Sequence, residues 1–184
     1  MEGLMRLKAM AKINLGLDVL GKREDGYHEV RMIMQTIRMY DILDIRKTRR
    51  PGIVLTTNLP FIPTDQRNLV YKAAQMLMEE FDVEEGLSIK LRKFIPVAAG
   101  MAGGSSDAAA AFVGVNRMFH LGLTEEQLME RAVKVGADVP YCIMRGTALA
   151  EGIGEKLTRL PEVPKCYVLI GKPGINVSTK TAYE

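Results

Sequence analysis

The stretch Pro96-Val-Ala-Ala-Gly-Met-Ala-Gly-Gly-Ser-Ser-Asp-Ala-Ala-Ala-Ala111 decides how the fold is interpreted. It follows an alternating segment from Leu87 to Leu91 that is typical of a strand, and it leads into a helical pattern that reaches Phe119. Glycines let backbone N–H groups approach an anion closely, and a helix start adds unpaired donors and a positive dipole end. The stretch therefore predicts a phosphate-binding loop between a strand and a helix.

This loop differs from two common nucleotide-binding fingerprints. The Walker A pattern G-x-x-x-x-G-K-[ST] is absent from the sequence, and G-x-G-x-x-G does not occur in the loop. The structural alternative is a glycine-rich helix start that packs tightly on a strand, with Ser105 as the N-cap residue. Both interpretations stay open on this stretch alone.

The rest of the chain predicts strands first and a mixture of helices and strands afterwards. Apolar alternation predicts strands at residues 13–19, 30–34, 42–46 and 53–57. Helical spacing and caps predict helices at 69–81, capped by Asp65 or Asn68, and at 124–135, capped by Thr124 with Gln127. Short apolar runs predict further strands at 139–144, 148–151, 156–160 and 166–170. This order lacks a regular strand–helix–strand repeat and predicts an α+β fold.

The weakest junction in the chain is Pro161-Glu-Val-Pro164. We predict one domain over residues 1–160 and the start of a second, truncated domain over 161–184. A helical pattern that begins at Ser178 and stops with the chain supports the second part of this prediction.

Composition limits the classes of function. The 184 residues carry 25 basic and 22 acidic side chains, a net charge of +3, which is too small to indicate a nucleic-acid partner. Two cysteines are too few for a disulfide scaffold or a structural zinc site. The sequence has no apolar run long enough for a membrane span and no secretory signal at its start. We therefore expect a soluble, cytoplasmic protein.

Lys12 and Asn14 form the second group of candidate residues. They are two positions apart on a predicted strand, so their side chains point to the same face while Ile13 and Leu15 face the core. The pair is either directed at a ligand or forms the polar face of an edge strand.

Asp138 is the third candidate, in the segment Gly136-Ala-Asp-Val-Pro140 between a helix end and a predicted strand. A partly buried carboxylate needs a partner, and Lys12 is the obvious one. A Lys–Asp pair beside a phosphate loop can orient a hydroxyl group and accept its proton during phosphoryl transfer. A helix cap or an ordinary salt bridge is the structural alternative.

The fourth candidate group is the turn Asp25-Gly-Tyr-His-Glu29, which presents an aromatic ring and an imidazole. His28 can hydrogen-bond a base edge or a polar head group. The structural alternative is an ordinary hairpin tip on the surface.

Taken together, these segments resemble the GHMP kinases. The glycine–serine loop is similar to the second motif of that superfamily. Residues 11–15, 25–29, 67–69, 96–107 and 136–140 also come in the order found in the branch that phosphorylates 4-diphosphocytidyl-2-C-methyl-D-erythritol. The loop alone indicates the superfamily, and Lys12-Ile-Asn14 with Gly26-Tyr-His28 narrows the resemblance to that branch.

The resemblance implies a fold, a reaction and roles for individual residues. The fold is the GHMP-kinase N-terminal domain, of the ribosomal protein S5 domain 2-like type. The reaction transfers phosphate from ATP, with Mg²⁺, to the 2-hydroxyl of that cytidine diphosphate derivative in the non-mevalonate isoprenoid pathway. Asp138 is implied as the catalytic base and Lys12 as its partner, whereas the metal ligands stay open.

The implied ATP-binding residues are Asn68, Pro96, Val97, Ala98, Ala99, Gly100, Met101, Ala102, Gly103, Gly104, Ser105, Ser106 and Asp107. The implied substrate-binding residues are Asn14, Tyr27, His28 and Tyr183.

The family also has a second domain with a third glycine-rich motif, which this sequence lacks. We therefore expect a fragment of such an enzyme, and an apolar face left uncovered makes a homodimer a candidate assembly. Two alternatives remain: a GHMP kinase for another small alcohol, and a non-catalytic module that binds nucleotide or RNA. Gly26-Tyr-His28 argues against the first, and the scattered basic residues argue against RNA. We expect neither nucleic acid nor a membrane as a partner.

Overall fold

The computed structural model describes residues 3–174 and contains one mixed sheet packed against helices. The strands are β1 (Met5–Lys22), β2 (His28–Thr48), β3 (Ile53–Thr57), β4 (Gly86–Arg92), β5 (Thr147–Gly152) and β6 (Lys156–Arg159). The helices are α1 (Leu69–Glu80), α2 (Gly103–Met118), α3 (Glu125–Ala132) and α4 (Val139–Met144). Among these helices, none combines the length and apolar character that crossing a bilayer requires. The predicted α+β class is confirmed.

β2 is the central strand of the sheet. It runs antiparallel to β1 along most of its length, while its second half pairs with β4 and its first half with β5. β6 extends the sheet beside β5, and β3 lies parallel to β4. Parallel neighbours need a crossover connection, which α1 provides between β3 and β4.

The core lies between one face of the sheet and the helices. Alternation places Leu43 and Ile45 of β2 on this face, beside Leu87 and Ile89 of β4, and all four are fully buried. Helix α2 packs closely on this layer, and an added Cβ at Gly114 would lie 2.5 Å from Cδ1 of Ile45. The small residues of α2 therefore allow it to approach the sheet.

Local sequence signals located several elements correctly. Asn68 caps α1 by accepting a hydrogen bond from the backbone of Val70, and Thr124 with Gln127 forms a complete capping box on α3. Ser105 is not the N-cap of α2, because that helix already begins at Gly103 and Ala102 precedes it in a left-handed conformation. The alternative interpretation also predicts close packing at the start of α2, and an added Cβ at Gly103 would lie 3.2 Å from Cγ2 of Ile95.

Two predicted strands are wrong. Residues 139–144 form α4, which has Asp138 at its N-cap and Pro140 in its first turn, where a missing N–H group has little cost. Every residue of α4 is buried, and a short continuous apolar run cannot distinguish a buried strand from a buried helix. Residues 166–170 are mostly exposed and pair with no strand of the described chain.

The predicted helix from Ser178 lies outside the described residues, and the domain boundary at 160/161 stays a prediction.

The predicted alternation in β1 is also wrong around Lys12. Lys12 is buried, as is its neighbour Ala11, whereas Leu15 is 51% exposed instead of facing the core. The pairing of β1 with β2 shifts between Met10 and Lys12 and again between Asn14 and Gly16. Such bulges interrupt the two-residue period, and here they place a lysine inside the protein.

Candidate active site

The loop predicted to bind phosphate, residues 96–102 and here called the phosphate loop, has an unusual backbone. Ala98, Gly100 and Ala102 adopt positive φ angles of 54°, 69° and 53°, immediately before α2 begins at Gly103. Left-handed residues of this kind help to form concave nests of N–H groups, which bind anions. For Ala98 and Ala102 the conformation costs about 1–2 kcal/mol each, and such strain often marks ligand sites.

A cavity of about 360 Å³ opens on this loop. It is bounded by the segment before α1, the end of β4 and the loop itself. Its lining comprises Ile62, Pro63, Arg67, Asn68, Leu69, Leu91, Lys93, Pro96, Val97, Ala98, Ala99, Gly100, Met101, Ala102, Gly103, Gly104 and Asp107. The volume is within the usual range for a small-molecule site. The structure thus brings Asn68 and most of the predicted loop residues to one cavity.

Ser105 and Ser106 are the two residues of the predicted set 96–107 that do not line the cavity. The hydroxyl group of Ser106 is directed elsewhere, because it donates a hydrogen bond to the carbonyl oxygen of Met10 at 2.6 Å. Ser106 therefore joins α2 to β1 in this structure.

Asn68 uses its carboxamide to organise one wall of the cavity. Its Oδ1 accepts the N–H of Val70 at 2.9 Å, and its Nδ2 donates to the carbonyl oxygen of Pro63 at 2.8 Å. Both ends of the amide are thus engaged in fixing the start of α1. A direct contact between Asn68 and nucleotide stays a prediction.

A buried charge cluster lies under the loop, and the sequence analysis missed two of its three members. Nζ of Lys93 lies 2.6 Å from Oδ2 of Asp107 and also contacts Oδ2 of Asp41. Burial raises the pKa of Asp107 well above its ordinary value; Asp41 adds to the shift and the Lys93 charge opposes it. Oδ1 of Asp107 has no hydrogen-bond partner within residues 3–174. Asp41 and Lys93 are 52 positions apart, so no local pattern could have paired them.

Lys12, Asn14 and Asp138 meet beside the loop. Nζ of Lys12 donates to Oδ1 of Asn14 at 3.1 Å and lies 3.7 Å from Oδ2 of Asp138. The backbone N–H of Lys12 also donates to the carbonyl oxygen of Met101, which joins β1 to the loop. The Lys12 side chain is 6% exposed and that of Asp138 is 30% exposed. A carboxylate that solvent can reach is therefore fixed next to a buried ammonium group.

This arrangement suits Asp138 for proton transfer. Asp138 is the N-cap residue of α4, but its side chain makes no capping hydrogen bond. Its carboxylate oxygens thus remain available to a hydroxyl group beside the loop. The nearby ammonium group of Lys12 can balance the charge that develops when a hydroxyl group gives up its proton.

The substrate residues predicted at the hairpin turn lie farther away. Tyr27 is 59% exposed, and His28 begins β2 opposite Lys22. His28 precedes Thr36, the partner of Lys12 in the sheet, by eight residues, which is at most ~26 Å along an extended strand. The structure places Tyr27 and His28 on the same hairpin as Lys12, farther along the pair of strands. Tyr183 lies outside the described residues.

Comparison with known proteins identifies the fold. Residues 68–146 match the family model of the GHMP kinases N terminal domain. Over 98% of its length, the chain is 58% identical to the 4-diphosphocytidyl-2-C-methyl-D-erythritol kinases of Lachnospira eligens and Lachnoclostridium phytofermentans. The chain has the fold of the GHMP kinase N-terminal domain. It spans 62% of the length of each of these two curated relatives.

Solved structures agree with this fold. A crystal structure of 4-(cytidine 5'-diphospho)-2C-methyl-D-erythritol kinase has a TM-score of 0.74 and 35% identity, covering 85% of this chain and 55% of that chain. Homoserine kinase from Cytophaga hutchinsonii has a TM-score of 0.73 at 19% identity, covering 99% of this chain and 59% of that chain. The second likeness concerns the fold alone. The predicted GHMP-kinase N-terminal fold is thus confirmed.

Proposed function

We propose that this protein transfers the terminal phosphoryl group of ATP to the 2-hydroxyl of 4-diphosphocytidyl-2-C-methyl-D-erythritol. The observation that carries the proposal is the 58% identity, over 98% of the chain, to relatives named as kinases of this compound. The Lys12–Asp138 pair beside a phosphate loop supports it independently, because that arrangement fits phosphoryl transfer to an alcohol. The product would serve the synthesis of isoprenoid precursors.

In the proposed reaction, the substrate hydroxyl lies between Asp138 and the phosphate loop. Its oxygen forms a bond to the terminal phosphorus of ATP, the bond from that phosphorus to the bridging oxygen breaks, and ADP leaves. Asp138 receives the hydroxyl proton, and the Lys12 ammonium stabilises the negative charge around it. Backbone N–H groups of the loop and of the start of α2 hold the phosphates, at about 1.5–3 kcal/mol for each charge-assisted bond.

Mg²⁺ is part of the proposal, bound together with ATP. In the part of the chain that the structure describes, no three metal-ligating side chains form a cluster. Mg²⁺ commonly takes its ligands from substrate phosphates, water and one or two carboxylates, so such a cluster is not required. Asp107 is the carboxylate on the cavity wall, and its Oδ1 has no partner among the described residues. The ion would supply positive charge to the transferring phosphoryl group.

The cytidine end of the substrate is assigned to the hairpin. Asn14 is next to Lys12, and Tyr27 and His28 lie farther along the same pair of strands. We propose that these three residues, with Tyr183, hold the cytidine diphosphate group. Stacking of one base on an aromatic ring contributes about 1–3 kcal/mol, and the half-exposed ring of Tyr27 is available for it.

Cytoplasmic location and a homodimer are also proposals. Cys142 and Cys166 are both free thiols, as expected in a reducing compartment.

Support for self-association comes from large apolar side chains on the surface, among them Leu15, Leu20 and Leu169. Sedimentation velocity over a range of concentrations would measure the association state.

The deciding experiment measures phosphorylation of 4-diphosphocytidyl-2-C-methyl-D-erythritol and, by calorimetry, binding of this compound and of an ATP analogue. Mevalonate and galactose serve as competing acceptors in the same assay. We expect turnover with the cytidine compound alone, and binding of both ligands. Turnover with another alcohol instead would assign a different GHMP kinase substrate. Absence of binding for both ligands would favour a non-catalytic module.

A further inference from the structure

A partly buried hydroxyl network connects the strand of Lys12 with the helix of Asp138. Thr36 on β2 is the residue paired with Lys12 in the sheet. Oγ1 of Thr36 lies 3.1 Å from the phenolic oxygen of Tyr141, a residue of α4 that is 1% exposed. Asp138 is the N-cap residue of the same short helix. The two members of the proposed catalytic pair are therefore joined through Thr36 and Tyr141.

The hydrogen bonds of this network form a closed ring with Gly146. The N–H of Gly146 donates to Oγ1 of Thr36 at 3.1 Å, and the hydroxyl of Tyr141 donates to the carbonyl oxygen of Gly146 at 2.7 Å. This leaves the Thr36 hydroxyl to donate to the oxygen of Tyr141. Burial raises the pKa of Tyr141 to about 12, so the phenol keeps its proton at neutral pH. A fully satisfied ring of this kind is rigid.

The ring lies at the point where α4 turns into β5. Arg145 and Gly146 both have positive φ angles there, 58° and 84°, which reverse the chain sharply. The guanidinium of Arg145 donates to the carbonyl oxygen of Lys8 on β1. A six-residue helix has no appreciable stability by itself, so these tertiary contacts set the position of α4.

We infer that Thr36 and Tyr141 are positioning residues, which hold α4 against β2 and thereby keep Asp138 next to Lys12. They act through Asp138, whose carboxylate makes no capping hydrogen bond of its own. Misplacement of a reacting group by about 1 Å can lower a rate ~100-fold, so a modest shift of α4 is sufficient for a large effect. The inference rests on the proposed function for its kinetic consequences, whereas its structural consequence can be measured without turnover.

The test uses Tyr141→Phe and Thr36→Val, which remove one hydroxyl each at nearly constant volume. We expect kcat to fall about 10- to 100-fold while KM for both substrates changes less than about threefold. Thr36→Ser keeps the hydroxyl and should retain kcat within about threefold of the original protein. Tyr71→Phe, on a half-buried tyrosine of α1, is the matched control and should leave kcat unchanged. Unchanged kcat in both hydroxyl-free variants would overturn the inference.

A second readout separates a positioning role from a general loss of stability. In an Asp138→Asn background, we expect Tyr141→Phe to lower the residual single-turnover rate by less than about threefold, because its effect passes through Asp138. A further fall as large as in the original protein would contradict the inference.

A crystal structure of Tyr141→Phe should show the Lys12–Asp138 pair moved apart beyond its 3.7 Å separation. An unmoved pair refutes the inference, whereas lack of turnover in the original protein refutes the proposed function only.

Discussion

Nζ of Lys93 lies 2.6 Å from Oδ2 of Asp107 in the interior of the protein, and it contacts Asp41 as well. Lys93 precedes the phosphate loop, Asp107 lies in α2 just after it, and Asp41 belongs to β2. Oδ1 of Asp41 also accepts the N–H of Ile95 at 2.8 Å. The two ends of the loop are thereby fixed to the sheet and to each other by buried charges.

Removal of the central cation should therefore be costly. Lys93→Met leaves two carboxylates buried without a counter-charge, and breaking a buried pair in this way usually costs about 3–5 kcal/mol. Urea denaturation should show a loss of this size in the free energy of unfolding. Lys90→Met, at an exposed position of β4 three residues before Lys93, is the control and should change the free energy of unfolding by less than about 0.5 kcal/mol. Equal stability of both variants would contradict the role of Lys93.

The pH dependence of stability should reveal the same cluster. Because burial raises the pKa of Asp107 above 3.8, the native state keeps this proton to a higher pH than the unfolded chain does. The contribution of Asp107 to the free energy of unfolding should therefore fall as pH rises from about 4 through the raised pKa. Asp107→Asn should lack this fall. Urea denaturation of both proteins between about pH 4 and pH 8 provides the measurement, and parallel pH profiles would refute the prediction.

Substitution of the proposed base should separate chemistry from binding. Asp138→Asn removes the proton acceptor, and general-base catalysis typically contributes about 100- to 10,000-fold to a rate. We expect kcat to fall by at least that lower factor while calorimetry shows the ATP affinity within about threefold of the original. Asp82→Asn changes an exposed aspartate beyond the end of α1 and should leave both quantities unchanged. Normal turnover in Asp138→Asn would remove Asp138 from the mechanism.

Two helix caps allow the proposed nucleotide site in the cavity to be tested against a matched control. Asn68→Ala and Thr124→Ala each remove an N-cap, which usually costs about 1 kcal/mol of stability. Asn68 lines the cavity and Thr124 does not, so only Asn68→Ala should also weaken binding of an ATP analogue. Urea denaturation and calorimetry give the two quantities. An equal loss of nucleotide affinity in both variants would mean that the effect is one of stability alone.

The features that sequence analysis located are those encoded within a few residues. The caps at Asn68 and Thr124 depend on side chains and N–H groups two or three positions apart. The loop before α2 is recognisable because glycine, serine and alanine follow a strand directly. The Lys12–Asp138 contact is long-range, but it was predictable because a partly buried carboxylate requires a partner.

What the sequence left undetermined depends on tertiary packing. The bulge that buries Lys12 follows from how β1 pairs with β2, and composition carries no sign of it. The apolar segment of α4 fits a buried strand or a buried helix equally well until its neighbours are known. Gly114 is a further case, because a glycine is needed there only where α2 approaches residues that are far away in the chain.

Gly114 therefore makes a sharp test of the packing between α2 and the sheet. A Cβ at this position would lie 2.5 Å from Cδ1 of Ile45 and 2.8 Å from Cδ1 of Leu7, so both side chains would have to move. Such overpacking typically costs about 1–3 kcal/mol, which exceeds the gain of up to about 1 kcal/mol from replacing glycine in a helix. We expect Gly114→Ala to lower the free energy of unfolding.

Gly104→Ala is the control in the same helix. An added Cβ at Gly104 meets Cδ1 of Leu69 at 3.7 Å, an ordinary contact, so only the gain in helix propensity remains. The two substitutions should therefore change the free energy of unfolding in opposite directions in urea denaturation. A gain in stability from Gly114→Ala would show that Ile45 and Leu7 can rearrange without cost, and that α2 is not held against the sheet as closely as the structure indicates.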